Sequence, residues 1–461
     1  MKKALSVLFL ISLALFTVSA EPVYLDSSVP VNPIVMGQGG SFTANAEGYN
    51  SLFKNPAGFA VGKGDVTVLS MNAWMFADQS MIDFAQDPDA YFNNVETIAT
   101  EIESTFDEAK LAEWLASKDE GEMIALLEDL GLFSGWDSEN ESLETYLANI
   151  DWVDAIQNDP ALQEQFISLA AVIYEDINGE PLLPSGNIRA GMNTGFGIVK
   201  KGFGFGMSLN ADALFAGETV LNTAGGVSAT AAVTAGYALT LFDFLKVGAA
   251  VRPMYRAYSS ISGAAIIDGL QAGDIASSLS SNAVFHGWGI GFDAGAIASF
   301  GPFNIGLALT DIGGTRLQFV QNSWTDMYDA LAGGTELPAG GDVTDTYIVP
   351  MDVSLGASFH PDLGGLSVII DPTVSVEVSD AVNTLASGDT IEPLDIFKFG
   401  ASARLLRFID VRAGYYAGYV SAGLGADLLF FNVNVAGFMK ANQQTVGYAD
   451  YGVSAEVAFR F

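Results

Sequence analysis

The sequence predicts an all-β protein, a transmembrane antiparallel β-barrel of about 14 strands with an N-terminal plug and a helical extracellular insertion. Half of its 461 residues are hydrophobic and only 16% are charged, whereas about a quarter are charged in typical soluble domains. After the N-terminal leader, no run of apolar residues is long enough for a transmembrane helix. Instead, apolar residues alternate with small or polar ones over segments long enough for tilted barrel strands. A closed barrel is the other structure that pairs every backbone group in lipid.

Composition excludes several classes of function. The chain has 54 acidic and 19 basic residues, a net charge of −35, which excludes nucleic-acid binding through a basic surface. It has no Cys and two His residues, so disulfides, thiolate metal sites, thiol nucleophiles and lipid attachment to an N-terminal Cys are excluded. The sequence carries no nucleophile elbow, zinc-protease motif or phosphate-binding loop. We therefore expect no enzyme, no cofactor and no metal site.

Residues 1–20 have the pattern of a cleavable secretory signal peptide. Lys2 and Lys3 precede a short apolar run, and Val18-Ser19-Ala20 supplies the small residues of a cleavage site. We expect the mature chain to begin at Glu21. An uncleaved N-terminal anchor is the alternative interpretation.

Residues 21–64 are rich in turn signals and are predicted to form the plug. Pro30, Pro33, Gly39-Gly40, Pro56 and Gly62 all occur before the first strand. Pro56 fixes its own φ and disfavours helix at Asn55, so the Asn55 side chain can cap a turn.

The barrel itself is predicted over residues 65–461, where the period-two pattern recurs. Between residues 203 and 215 the odd positions are apolar, while the even positions are small or polar except Leu214. A soluble β-sandwich, the alternative, would instead keep its outer faces polar. Short connections are predicted on the periplasmic side, and long loops at 77–187, 261–282, 313–345 and 379–394 outside. The predicted strands lie near 65–76, 188–199, 203–216, 226–241, 246–260, 283–299, 303–312, 346–359, 366–378, 395–407, 411–418, 421–430, 433–441 and 450–461.

Residues 77–187 form a predicted acidic helical insertion in the first extracellular loop. The stretch 83–183 holds about 25 of the 54 acids, with only Lys110 and Lys118 as bases. Its apolar residues recur at helical spacing. Two interpretations remain open: an extracellular lid that collects ligand, or a solvated surface domain whose acids bind divalent cations.

Three features together resemble the FadL family of outer-membrane transporters for hydrophobic compounds and long-chain fatty acids, including its PorV-like and spirochaetal relatives. They are the run 36–42 leading into Asn55-Pro56-Ala57, the count of about fourteen strands, and the terminal Phe461. The resemblance implies an outer-membrane location and a plug marked by Asn55, Pro56 and Ala57. It also implies that the barrel-assembly machinery reads the last strand. The insertion at 77–187 departs from the family's usual first extracellular loop.

Strand parity places four arginines in the lumen: Arg252, Arg256, Arg404 and Arg412. On the lipid face at mid-membrane each would cost about 2–4 kcal/mol. They are candidates to bind a ligand carboxylate through charge-assisted hydrogen bonds. The alternative is that they pair with lumenal acids and brace the barrel.

The leading functional hypothesis is passive uptake of hydrophobic molecules such as long-chain fatty acids across the outer membrane. Outer-membrane lipid is then expected to surround the barrel. The alternative is a PorV-like barrel that acts as a surface scaffold or secretion-associated binding protein. A general water-filled porin ranks third, because the N-terminal segment resembles a plug.

Overall fold

The structure is a computed structural model that describes most of the barrel and part of the N-terminal segment. It describes residues 31–62, 64–86, 186–217, 223–262, 283–333, 340–379, 396–416, 418–440 and 450–461, with Lys110, Glu113, Ser117 and Ile177. The predicted signal peptide and nearly all of the predicted insertion at 77–187 lie outside these residues.

In the described part of the chain, sixteen strands form one antiparallel sheet that closes on itself. The strands are β1 Asp65–Ala77, β2 Gly186–Lys200, β3 Phe203–Gly217, β4 Thr223–Leu241, β5 Leu245–Ser262, β6 Ala283–Phe300, β7 Phe303–Thr310, β8 Thr315–Ser323, β9 Gly341–Val349, β10 Asp352–Phe359, β11 Ile370–Val378, β12 Phe397–Leu405, β13 Ile409–Tyr416, β14 Tyr419–Leu428, β15 Phe431–Lys440 and β16 Tyr451–Arg460. The described helices are α1 Pro33–Gly37, α2 Gln79–Gln86 and α3 Trp324–Gly333.

The sixteen strands occupy 14 strand positions around the barrel, because two positions are each filled by two shorter strands. β7 and β8 both run antiparallel to β6, and β9 and β10 pair with β8 and β7 in turn. β7 and β8 therefore share one strand position in the barrel, and β9 and β10 share the next one. β1 pairs with β16, and β5 with β6, so no strand edge is left at the seam. The predicted barrel of about 14 strands is confirmed.

Alternation of burial along the strands defines the lipid face. In β16 the exposed residues alternate strictly with buried ones, as in most of β1 and β14. The exposed set is apolar and includes Met71, Phe196, Met207, Leu355 and Val457. An apolar outer surface on a closed ladder is the physical signature of a membrane-spanning barrel. Among the described residues, no helix is long and apolar enough to cross a membrane.

Two details of the predicted strand pattern are wrong. The loop predicted at 313–345 contains β8, α3 and the start of β9, and the strand predicted at 346–359 is broken at Pro350, which has no N–H to donate. The strand predicted from residue 366 begins at Ile370 instead. Before it, Gly364–Val368 forms a 3₁₀ turn whose apolar residues imitate a strand.

The N-terminal segment 31–62 lies inside the barrel and is built from α1 and three 3₁₀ turns, Thr43–Asn45, Gly48–Phe53 and Pro56–Ala60. It packs against glycines of the inner wall, since a Cβ at each of them would fall on a segment atom. These are Gly195, Gly197, Gly204, Gly206, Gly248, Gly295, Gly306, Gly356, Gly400, Gly414 and Gly423. The recurrent glycine on the polar face of the strands thus makes room for a chain inside.

We predict that Gly295→Ala loosens the N-terminal segment. The new methyl group would overlap Asn55 Oδ1, and overpacking of this kind costs about 1–3 kcal/mol. Urea titration in phospholipid vesicles measures the loss, and protease sensitivity of residues 31–62 reports the displacement. Gly365→Ala is the matched control, because a Cβ there has no neighbour within 4 Å. Equal behaviour of the two variants would contradict the packing described here.

Candidate functional site

The Asn55-Pro56-Ala57 motif lies against the inner face of β5 and β6. Asn55 is fully buried. Its Oδ1 accepts from the Ala57 backbone N–H at 3.1 Å, and its Nδ2 donates to the Thr43 carbonyl at 3.0 Å. Pro56 occupies the first position of the turn, where its missing N–H costs nothing. The predicted capping by Asn55 is confirmed, and the same amide also ties two turns of the segment together.

Lys54 and Glu377 connect the segment to the barrel wall. Glu377 is buried in β11, and its Oε2 accepts from the backbone N–H groups of Phe42 at 2.8 Å and Thr43 at 2.7 Å. Lys54 Nζ lies 3.1 Å from Glu377 Oε1 and donates to Ser354 Oγ at 3.0 Å. One wall carboxylate therefore holds the segment at two separate turns.

The charge of Lys54 is maintained by its surroundings. Burial alone would lower the pKa of Lys54, but the carboxylates of Glu377 and Asp352 raise it more, so that the net shift is upward. A raised lysine pKa stabilises the folded chain at all pH values below the ordinary lysine range, and this stabilisation is lost as the pH rises through the folded-state value. The contact thus persists at neutral pH.

Arg252 lies at the break between β7 and β8. Its Nη2 donates to Asp311 Oδ2 at 2.6 Å and to Asp293 Oδ1 at 3.3 Å, while the Asp311 N–H donates to Asp293 Oδ1 at 2.9 Å. Asp311 adopts a positive φ of 51°, which is uncommon for a residue other than glycine. The guanidinium therefore clamps a strained bulge, residues 311–314, onto β6.

Arg404 and Arg412 share one acid. Arg404 makes a two-pronged contact with Asp410, at 2.9 and 3.1 Å, and Arg412 Nη2 donates to Asp410 Oδ2 at 3.1 Å. Arg412 also donates to Asn434, which donates to Glu456. This network runs across four strands of the inner wall. Arg404 is the more open of the two, with 48% of its side chain exposed against 5% for Arg412.

Arg256 differs from the other three because it faces an aromatic cluster. Its guanidinium carbon lies 5.3 Å from the centre of the Tyr347 ring, and its Nε donates to Thr230. The surrounding cluster is formed by Ala232, Met254, Tyr258, Leu317 and Phe319, with Phe285, Tyr347 and Val349 packed against it. A cation on the edge of an apolar, aromatic surface suits an amphipathic ligand.

A second cluster of this type was missed at the sequence level. Trp74, Phe76, Tyr419, Ala436 and Phe438 pack with Met36 of the segment, and Arg189 lies 5.4 Å from the Trp74 ring. Arg189 also forms an ion pair with Asp212 at 2.8 Å. The available signal was the parity of Arg189, which places it inward on β2 with Gly191 and Asn193. The two clusters lie toward the ends of their strands that are farthest from Phe461.

A concavity of about 830 Å³ lies around β1 and β13–β16. Its exposed lining includes Met75, Leu424, Val435 and Val453, all on the lipid face. The inward-facing Trp74, Arg412 and Ser454 also border it.

We predict that Arg252→Met destabilises the barrel by about 3–5 kcal/mol, because two buried carboxylates lose their shared cation. Arg404→Met is the matched control and should cost about 0–1 kcal/mol, since that side chain is half exposed and Arg412 remains beside Asp410. Urea unfolding in phospholipid vesicles compares the two. A similar loss in both variants would refute the clamp.

We predict that Glu377→Gln weakens the attachment of the segment by about 1.5–3 kcal/mol, the range for hydrogen bonds to charged groups. The amide keeps an acceptor for Phe42 and Thr43 but loses the charge opposite Lys54. Asp371→Asn is the control: Asp371 pairs with the exposed His360 and should contribute at most about 1 kcal/mol. Hydrogen exchange of the Phe42 and Thr43 amides gives the measurement, and unchanged protection would count against the attachment.

Comparison with known proteins gives matches to solved structures. The sequence matches no protein-family model and no curated protein sequence. The Ralstonia pickettii toluene transporter TbuX is 12% identical, with a TM-score of 0.42 over 93% of this chain and 97% of its own. The P. putida toluene transporter TodX is 10% identical, with a TM-score of 0.42 over 94% and 99%. A Pseudomonas aeruginosa FadL homologue is 11% identical, with a TM-score of 0.40 over 93% and 97%. The third of these is a homologue of FadL, the family that the sequence motifs resemble.

Proposed function

We propose that this chain is a FadL-like outer-membrane protein for passive uptake of hydrophobic molecules, with long-chain fatty acids as one substrate class. In this proposal residues 21–64 are the plug, 65–461 the barrel and 77–187 an extracellular insertion. The observation that carries it is the occupied lumen: the segment 31–62 fills space that a porin would leave to water.

The lining of the lumen suits apolar solutes. Both inward clusters consist of aromatic and aliphatic side chains, and each has an arginine at its margin. A hydrocarbon ligand would exchange water for these surfaces, at about 25 cal/mol for each Å² buried. The arginines would add preference for a carboxylate, which is the basis for including fatty acids.

Arg252 and Arg256 have different roles in this proposal. Arg252 already holds two acids at the bulge, so a ligand carboxylate would have to displace one of them. Arg256 borders the aromatic cluster directly and is the better candidate for contact with a headgroup. Arg404 and Arg412, which share Asp410, are candidates for a later contact on the same route.

Transport requires the segment to move. It meets the wall glycines through backbone at Gln38, Gly39 and Ala44, and through side chains at Tyr49, Leu52 and Phe59. The Lys54–Glu377 pair adds a charged contact, and these contacts would have to separate for a ligand to pass. We place the moving part around Asn55-Pro56-Ala57, between β5 and β6 on one side and the turn at Thr43 on the other.

The alternative, a PorV-like surface scaffold, depends on residues 83–183 as a binding domain for a protein partner. It requires neither a mobile segment nor an apolar lumen. An uptake assay with a locked segment therefore separates the two functions.

We predict that a disulfide between Gln38→Cys and Gly400→Cys stops uptake. A Cβ at Gly400 lies 3.3 Å from the Gln38 Cβ, close to the disulfide range of about 3.5–4.5 Å, and the natural chain has no cysteine to compete. Uptake of labelled oleate and toluene is measured in a host that lacks its own transporter. Oxidised protein should be inactive, and reduction should restore uptake.

Each single-cysteine variant serves as a control for its added side chain, and its uptake should be the same under oxidising and reducing conditions. Uptake that persists in the fully cross-linked protein would overturn the proposed movement. If no variant, including the natural chain, raises uptake above the empty host, the transport function itself fails.

A further inference from the structure

The end of the barrel that carries Phe461 is surrounded by apolar hairpin tips. Six hairpins turn at this end, and each exposes a large apolar residue in or beside its turn, with Phe203 beside the turn between β2 and β3. The exposed fractions are 96% for Leu429, 80% for Phe242, 71% for Phe461, 60% for Leu366, 56% for Leu406 and 52% for Phe300. Hairpin tips in contact with water are ordinarily built from Gly, Asn, Asp and Ser.

At three of these tips, a bulky apolar residue occupies a strained backbone conformation. Phe242, Leu406 and Leu429 have φ values of 56°, 52° and 64°. Glycine or asparagine would adopt this left-handed conformation at little cost, whereas Phe and Leu adopt it at a penalty. The turn between β2 and β3 has the ordinary solution, with Gly202 at φ 84°. Apolar side chains are thus held at the tips against local backbone preference.

The tips are continuous with the lipid-facing wall. Phe244 lies between the Phe242 ring, 6.3 Å away, and the Phe300 ring, 5.5 Å away. Phe430 and the terminal Phe461 stack at 6.1 Å on the far side of the barrel. The apolar tips therefore surround the rim and merge with the surface that lipid already covers. A protein partner bound at one patch would leave most of this ring in water.

Basic residues lie among the apolar tips. Lys200 and Lys201 are exposed at the turn between β2 and β3, and Arg407 is exposed beside Leu406. The exposed acids Asp243 and Asp362 lie at the same rim, so the three cations roughly balance the acidic groups there, in a chain with a net charge of −35. Long basic side chains next to apolar surface are suited to lipid phosphates, because their stems lie along acyl chains while their charges reach the headgroups.

We propose that this rim is immersed in the periplasmic leaflet of the membrane. Phe242, Leu406 and Leu429 enter the acyl region at the tips, and Lys200, Lys201 and Arg407 bind phospholipid phosphates. The short turns define this end as periplasmic. The inference rests on the placement of the barrel in a membrane and does not depend on the uptake function.

Spin-label accessibility tests the immersion in the full-length protein. Leu429→Cys and Phe242→Cys, each labelled with a nitroxide, are reconstituted in phosphatidylethanolamine–phosphatidylglycerol vesicles. Thr325→Cys, in the exposed first turn of α3 at the opposite end, is the aqueous reference. Collision with oxygen reports lipid, and collision with a water-soluble nickel chelate reports solvent. Correct folding is checked by heat-modifiable migration on gels.

Both tip labels should collide readily with oxygen and at least several-fold less with the nickel chelate than the label at residue 325. A label at Lys201→Cys should give an intermediate value, as expected at headgroup depth. If the chelate reaches residues 242 and 429 as freely as residue 325, the tips lie in water and the proposal is overturned. Folded variants that fail to transport would leave this result unaffected.

Discussion

The absence of water around a membrane-embedded backbone is the constraint from which the rest of the structure follows. Each strand must pair on both sides, so the sheet closes between β1 and β16 and again between β5 and β6. A closed barrel with 14 strand positions has an interior that is too wide for the side chains of the wall alone to fill. This chain fills it with its own N-terminal segment, and the polar groups of that segment need partners in turn. Glu377 and Asn55 supply them, one from the wall and one from the segment.

The inner wall contains two kinds of residue, glycines and paired charged residues, and each kind has a separate role. Glycines at the level of the segment allow its backbone and its side chains to approach the backbone of the wall. Elsewhere on the inner face, charged groups are paired: Arg412 with Asp410, Arg252 with Asp311, Arg460 with Glu456. Breaking one such pair exposes a buried charge, whereas loss of one glycine displaces the segment. The stability of the wall therefore depends on the charged pairs, whereas the position of the segment depends on the glycines.

The strand pattern could be read from the sequence because one face of each strand meets lipid, which enforces apolar residues at every second position. β8 escaped detection for the opposite reason. In β8, Leu317 and Phe319 face inward while Arg316 and Gln318 face outward, so its apolar residues lie on the opposite face from those of the lipid-facing strands. Parity also placed the four arginines inside but not their partners. Asp311 lies in a bulge, where parity does not apply, and the sequence holds no signal that links Glu377 to the Phe42 and Thr43 amides.

The attachment of residues 31–62 has a consequence for assembly. The Phe42 amide meets its carboxylate 335 positions later, and Ser454 donates to the Val31 carbonyl across 423 positions. Contacts so distant along the chain form late, because a long loop must close first. This early-synthesised part of the chain therefore acquires its partners last, after the final strands have been made. Until then its apolar residues, Met36 and Phe59 among them, need protection in transit, and docking of this segment marks completion of the barrel.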